Sequence, residues 1–480
     1  MKKYTLTFFS ALALTFGISS CTDHFEETNI NPNLITEITA GAVLNPVIYN
    51  MASNNTSKNY DITAQLMQVH IPYPSNALGV HRYDITQGTG NSTWTTTYTN
   101  LINIEEMLKV SREKGDVNYE AIALTLRAWM MSNLTDMFGD IPFSEAAQGE
   151  VGNFTPKFDR QKEIYAQLFQ DLEHANVLYQ NSLGMKYGAD ILYQGDITKW
   201  RKLTNSLHLR LLLRVSNQPD FNSLEQMQRI LNNNLTYPIF TSNDDAAILQ
   251  VTGIAPNLSP WQREQDYRDN RAFASFFVDG LNEINDPRLP LFVTNATSND
   301  GQSLGFKGIP AAYEGNSSQY NFTPSRPNTS FVEEPMKMIV MSFAELEFIK
   351  AELALKGYYQ NAALHYQNAV KSAISLWTGE EPTVEYLTQE GVAYNGTLEQ
   401  IMTQKYYALF FTDYQQWFEY RRTGYPILPK TSTMLNNQEV PQRLLYPTST
   451  QNLNPLNYQE AVTAMGGDRI DIKVWWASNQ

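Results

Sequence analysis

Residues 341–377 read MSFAELEFIKAELALKGYYQNAALHYQNAVKSAISLW, and this stretch decides the fold. Ser342 stands three residues ahead of Glu345, the spacing of a capping box in which each side chain satisfies an orphan amide at a helix start. Leu346, Ile349 and Leu353 then recur at i, i+3 and i+7, which predicts one apolar face. Lys356-Gly357 reads as a helix end and turn, since glycine accepts the left-handed conformation such ends require. A second helix follows, with Ala362, Tyr366, Ala369, Ala373 and Trp377 on one face.

Two helices joined by a tight turn, the second with small–aromatic–small spacing, match the tetratricopeptide pattern. Ala362, Tyr366 and Ala369 stand where that pattern wants Ala, Phe and Ala, and the small side chains let the helices approach closely. Its Trp, Gly and Pro positions are not met here, so the weight falls on recurrence. Helical periodicity does recur, over 119–139, 160–179 and 199–217. The long aromatic run at 397–426 is stopped by Gly424 and Pro426. On the second of these, Tyr165, Leu168, Leu172 and Ala175 form one stripe; on the third, Leu207, Leu211 and Val215 do. Trp94 opens a further helix through Tyr98 and Leu101, as a packing anchor or as part of a binding face. Convincing strand pairs with hairpin turns are absent from these regions. The expectation is an all-α chain, a scaffold of tetratricopeptide-like helix pairs sharing one continuous core. No multi-domain split is needed despite the length.

Residues 241–335 break the pattern. Segments such as APNLSPWQREQDYRDNRAF and YEGNSSQYNFTPSRPNTSF are dense in Gly, Pro, Asn and Ser yet keep aromatic side chains. Loops of this length in a compact chain are either functional or disordered, and the aromatics argue against disorder.

The amino terminus carries an address. Lys2 and Lys3 precede an apolar run from Leu6 to Ile18, then Ser19, Ser20 and the single cysteine of the chain, Cys21. This is the layout of an export signal and is too short to span a bilayer. Three readings of Cys21 are open: an intermolecular disulfide, a buried thiol, or a lipid attachment point. Its position directly after the small residues favours the third. Residues 1–20 are thus expected to be a signal peptide, 21–40 a lipidated tether, and 41–480 one helical domain with the insert at about 241–335. Asp23, Glu26 and Glu27 fit either a surface-export signal or a solvated tether. Without Lys2 and Lys3 the exported part holds 33 Lys and Arg against 49 Asp and Glu, a formal charge of −16. Such a field repels phosphate backbones, which argues against a nucleic-acid partner.

Catalytic signatures are not apparent. No serine-nucleophile elbow, H-E-x-x-H helix, phosphate-binding loop or Rossmann glycine fingerprint is read in the chain. The six histidines (24, 70, 81, 174, 208, 365) lack metal-ligand spacing, and no metal or cofactor is expected. Around Asp300 the sequence faintly suggests a calcium loop but lacks the alternating oxygen ligands, and a turn is the better reading. The acid pairs Asp244-Asp245, Glu333-Glu334 and Glu380-Glu381 diverge along the chain and read as solvated loop charges rather than a glycosidase pair. What remains is an aromatic surplus, 12% of residues. Trp129, Trp200, Trp377 and Trp417 are expected to fill helix interfaces. Loop rings can instead stack on sugars or grip peptides.

These features, in order along the chain, resemble the SusD/RagB family of outer-membrane nutrient-binding lipoproteins, in its SusD-like branch. The resemblance is carried by Cys21 and its lipobox, the helix start at Trp94 and Tyr98, RAWMMSNLTDMFGDIPFSEA (127–146) and IYAQLFQDLEHA (164–175). It continues through INDPRLPLF (284–292), FAELEFIKAELAL (343–355) and the closing VPQRLLYP and GGDRIDIKVWW (440–476). It implies four helix pairs, a loop-rich ligand face, and a non-enzymatic lipoprotein on the outer membrane. It also implies a partner, a SusC-like TonB-dependent transporter that receives an oligosaccharide or, in the RagB branch, a peptide. An anchored glycan hydrolase and a scaffold binding only protein are the competing readings. The family's ligand residues vary with substrate. Composition and loop position therefore nominate Trp261, Arg263, Tyr267, Asn270, Tyr313, Tyr320 and Tyr73.

Overall fold

The computed structural model describes residues 38–74 and 78–478; Cys21 and most of the expected tether lie outside them. Twelve helices of eight or more residues are found among the described residues. They are α1 (Ala40–Lys58), α2 (Asn91–Lys114), α3 (Val117–Phe138), α4 (Gln161–Leu178), α5 (Ile197–Arg214) and α6 (Ser223–Leu231), followed by α7 (Ser275–Glu283), α8 (Phe343–Leu355), α9 (Ala362–Thr378), α10 (Leu398–Ala408), α11 (Gln415–Thr423) and α12 (Pro455–Met465). Neighbours in sequence pack as neighbours in space: α1 on α2, α2 on α3, α3 on α4, and α8 on α9. Thr39–Gln480 forms one compact unit.

The helix pair α8–α9 forms as its periodicity predicts. Leu346, Ile349 and Leu353 are fully buried, as are Tyr366, Ala369 and Ala373 opposite, and Gly357 turns the chain with φ +82. The capping box is only half made. Ser342 accepts the Glu345 N–H at 3.1 Å, but the Glu345 carboxylate is taken by Arg210 of α5, at 2.6 and 2.5 Å. A buried guanidinium outcompetes a backbone amide for it. The tetratricopeptide-like reading therefore stands, with a salt bridge between helix pairs where a local cap was expected.

That bridge belongs to a buried ionic seam. Arg422 of α11 binds Glu352 of α8 through two bonds of 2.7 and 2.5 Å and Glu419 at 2.8 Å. Glu419 also takes Lys405 of α10 at 2.7 Å and Arg214 of α5 at 3.4 Å. Burial alone would raise both carboxyls, but the cations around them prevail. Arg422 and Lys356 bring Glu352 down to about 2, and Arg422, Lys405 and Arg214 hold Glu419 well below the ordinary range. These charges tie the first run of helices to the last.

The expected long helix at 397–426 is instead two. The chain breaks at 409–414, where Phe411 and Asp413 take positive φ. Asp413 accepts from Asn133 Nδ2 at 3.1 Å, and its carbonyl accepts from Asn59 at 2.6 Å. The break turns Phe410 and Phe411 inward, against Phe292 and Phe331.

Four two-stranded antiparallel ladders were also not foreseen. Two of them join distant segments: β1 (His70–Pro72) pairs with β5 (Arg271–Phe273), and β4 (Ala247–Val251) with β8 (Met336–Met341). The others join β2 (Ile141–Pro142) to β3 (Phe158–Asp159) and β6 (Thr297–Ser298) to β7 (Phe322–Thr323). The insert is irregular around α7; the β1–β5 ladder pins it to the scaffold, and the β4–β8 ladder closes its two ends. The insert also packs closely on itself: a Cβ at Gly308 would lie 2.6 Å from the Ser275 backbone nitrogen.

Candidate functional site

The nominated residues fall into two aromatic groups, one beside the Tyr73–Asn270 end of the β1–β5 ladder and one around Trp261. Beyond the ladder's last pair, the Tyr73 N–H donates to the Asn270 carbonyl at 3.0 Å. In the first group, Tyr73 packs on Tyr313 with ring centroids 5.4 Å apart, and Tyr313 on Tyr320 at 6.0 Å. Tyr73 and Tyr313 are buried and act as backing, while Tyr320 is half-buried and presents its ring among exposed Glu314, Asn316, Ser317, Gln319 and Asn321. Burial raises the Tyr313 and Tyr320 hydroxyls, so both stay protonated donors at neutral pH.

Two further segments hold this arc. His81 Nε2 meets the Tyr313 carbonyl at 3.1 Å; burial lowers its pKa to about 4, so the ring is neutral at physiological pH. Arg82 Nε donates to the Thr433 carbonyl at 2.9 Å, and Thr433 donates to the Ala312 carbonyl at 2.8 Å. The Arg82 carbonyl accepts the Leu435 N–H at 2.9 Å. Positive φ angles at non-glycine residues recur in these converging segments: Tyr83 (+63), Asn270 (+58), Asn436 (+52), Asn437 (+54) and Gln438 (+64). Such conformations persist only where the surroundings over-determine them, and they cluster at ligand-binding sites.

The second group surrounds Trp261. Its half-buried ring stacks on Phe411 at 5.7 Å and meets Tyr60 and Tyr267 edge-on. Tyr267 corrects the sequence expectation. It is fully buried, packed by Tyr60, Phe331 and Phe411, and offers no face to a ligand. The short helix Glu264–Arg268 turns this one side chain inward while Glu264, Gln265 and Asp266 stay exposed. Arg263 is exposed and paired with Asp266 at 3.0 and 2.5 Å. Asn270 is exposed, and its place on the ladder comes from its left-handed backbone and carbonyl. Close to Trp261, an open groove of about 500 Å³ runs between α1 and α2, walled by Asn50, Ser53, Asn54, Ser92 and Thr96, with Pro260 joining from the insert.

Sequence reasoning missed the supporting residues His81, Arg82 and Thr433, which carry no pattern of their own. It also missed one catalytic spacing: Gly301-Gln302-Ser303-Leu304-Gly305 is a G-x-S-x-G. The structure places it in a tight turn after β6, where the Ser298 N–H donates to the Gln302 carbonyl at 2.9 Å and Thr297 bridges to Ser303. No helix follows, so the strand-to-helix elbow that exposes a nucleophile is not built. Trp94, 8% exposed, packs on Phe138 and Tyr446 and is an anchor rather than a binding face. Among the described residues no group of three or more His, Cys, Asp or Glu is placed to hold a metal ion, and no helix is long and apolar enough to cross a membrane.

Helix pairs, a buried ionic seam and an aromatic arc on irregular loops together define an all-α scaffold with aromatic side chains clustered on its loops. The SusD-like family profile, described as starch-binding and associating with the outer membrane, matches residues 32–447. The chain belongs to this family. Solved structures agree. A chitin-binding protein is 26% identical and superposes with a TM-score of 0.78, covering 91% of this chain and 99% of that one. A SusD homologue from Bacteroides fragilis is 24% identical with a TM-score of 0.79, covering 92% and 99%. A chitin-binding SusD homologue from Flavobacterium johnsoniae is 20% identical with a TM-score of 0.79, covering 91% and 99%. No curated protein matches the sequence.

Proposed function

We propose that this protein binds a neutral oligosaccharide at the outer membrane and hands it to a TonB-dependent transporter, without performing chemistry on it. The observation that carries the reading is the Tyr73–Tyr313–Tyr320 arc. A half-exposed ring, backed by two buried ones and bordered by amide and hydroxyl side chains and by Glu314, which lies 3.7 Å from Arg82, suits the apolar face and hydroxyl rim of a sugar. Membership of a family described as starch-binding supports a glycan, as do two relatives named as chitin-binding. Trp261 and the groove beside it extend the face toward α1 and α2. In this reading Cys21 carries the lipid anchor, and residues 1–20 are removed on export. The anchor then needs two or more acyl chains to hold stably.

An array of oligosaccharides and peptides tests the ligand class. Binding to glycans, weakened by Tyr320→Ala with unchanged melting temperature, is the expected result. Exclusive binding of peptides, or release of reducing ends during incubation, overturns it. Co-purification with a large β-barrel protein from solubilised membranes tests the partner. Labelling by radiolabelled palmitate, abolished in Cys21→Ala, tests the anchor.

A further inference from the structure

The scaffold carries a second candidate face, on segments that share no residue with the Tyr320 arc. At the turn of the α8–α9 hairpin, Tyr359 is half-buried and stacks on His365, with centroids 5.3 Å apart and planes 29° from parallel. His365 Nδ1 is held by Glu347 Oε2 at 2.8 Å, and Lys350 binds the other oxygen of that buried carboxylate. The sequence carboxylate–imidazole–phenol therefore fixes the Tyr359 ring from beneath. With Nδ1 committed, His365 Nε2 is the ring atom left to meet a partner.

Recesses open on both sides of this stack. One, of about 360 Å³, is walled by Gln228, Asn232, Tyr358, Gln360 and Asn361. The other, of about 370 Å³, extends toward Lys350, Asn234 and Asn368. Gln228, Asn232, Gln360 and Asn361 are exposed, and their side-chain amides make no hydrogen bond within the described residues. Each uncommitted amide offers two donors and an acceptor oxygen, the pairing a hydroxyl needs in both directions. The first recess contains no carboxylate and no ammonium, which selects a neutral ligand over an ionic one. Its volume lies at the small end of ligand pockets and suits a short stretch of chain. This differs from the recess of about 620 Å³ on α2–α4, whose Arg127 is already paired with Asp171 and Glu105.

We infer that the α8–α9 turn is a second carbohydrate-binding site, in which the Tyr359 ring, fixed by His365 and Glu347, stacks on a neutral sugar whose hydroxyls are met by the Asn and Gln amides around it. The choice of a sugar probe rests on the glycan reading above; the site itself stands on its own residues. Two sites on one chain would hold a polymer at two points and raise its effective concentration at the surface.

Crystals of the exported chain soaked in maltotriose, cellotriose or triacetylchitotriose, with titration calorimetry in parallel, decide it. Sugar density on Tyr359, with binding there about tenfold weaker in Tyr359→Ala and retained in Tyr359→Phe, is the expected outcome. Melting temperature checks that both variants fold. Density on Tyr359 alone supports this inference and removes the Tyr320 assignment. Density on Tyr320 alone overturns the inference and leaves the first site standing. An empty crystal with all three sugars overturns both.

Discussion

The ionic seam makes a quantitative prediction for Glu352→Ala. Glu352 is fully buried and accepts from Arg422 at 2.7 and 2.5 Å and from Lys356 at 2.8 Å. Removing one member of a buried pair leaves the other charge under-compensated, at a cost of about 3–5 kcal/mol. Arg422 keeps Glu419 at 2.8 Å, which places the expected loss at the low end, about 3 kcal/mol. Linkage gives the same scale independently. Lowering the carboxyl from 4.5 to about 2 corresponds to about 3 kcal/mol. The unfolding entropy of the roughly 440-residue unit is about 0.9 kcal/mol per kelvin, so the melting temperature should fall by about 3 °C. Because the folded pKa is depressed, this contribution is full above about pH 4.5 and is lost as pH falls toward 2. The assay is a melt at neutral pH of Glu352→Ala beside the double variant Glu352→Leu/Arg422→Met. Replacing the pair with apolar groups should recover most of the loss. A single variant melting within about 1 °C of the parent would refute the idea that the seam fastens the two runs of helices.

Three further outcomes are expected. Tyr267→Ala, in the core, should cost about 3–5 kcal/mol and lower the melting temperature, while Tyr320→Ala should leave it unchanged and weaken ligand binding. The reverse pattern would exchange their roles. His208 is buried against Phe169 and its pKa is lowered by burial to about 4. It is neutral in the folded chain, so its contribution is full above about pH 6.5 and lost as pH falls toward 4, by about 3 kcal/mol. His208→Leu should therefore lose less stability than the parent between pH 7 and 4.5, and parallel melting curves would contradict this. Asn270→Gly should preserve the Tyr73 contact and ligand binding, whereas Asn270→Val, which resists positive φ, should lose about 1–2 kcal/mol and weaken binding. Equal loss of binding in both would assign Asn270 a direct amide contact instead.

Helices were legible because their signal is local. The stripe Tyr165–Leu168–Leu172–Ala175 is complete within one segment, and all four residues are buried as read. The break at 409–414 was not legible, since it depends on Asn133 and Asn59, more than 250 residues away in sequence. Strand β8 escaped for the same reason, its partner β4 lying across the whole insert. The site fared in proportion. Loop composition nominates aromatic residues but does not tell a presented ring from a buried one. Tyr267 and Tyr320 sit in equally polar surroundings in the sequence; one fills the space under Trp261 and the other reaches solvent. His81 and Thr433 were invisible because they act through backbone carbonyls of segments they meet only after folding.

The left-handed residues connect scaffold to site. Tyr83, Asn270 and the run Asn436–Gln438 hold conformations that cost an L-residue about 1–2 kcal/mol each. Together that cost is comparable with the whole stability of a typical domain, so it is sustained only where other contacts fix the segments. Those contacts are present: Leu435 to Arg82, Arg82 to Thr433, Thr433 to Ala312, His81 to Tyr313 and Tyr73 to Asn270 close one loop onto the next. A face held in this way is formed before ligand arrives. Tyr320 then loses little freedom on binding, because Tyr313 already packs against it, and affinity depends on contacts rather than on ordering. Under the proposed function, a carrier that must release its cargo would gain from this arrangement. Recognition in that reading would rest on a few stacked rings and exposed amides, while the strain that positions them is borne by the loop-to-loop contacts around them.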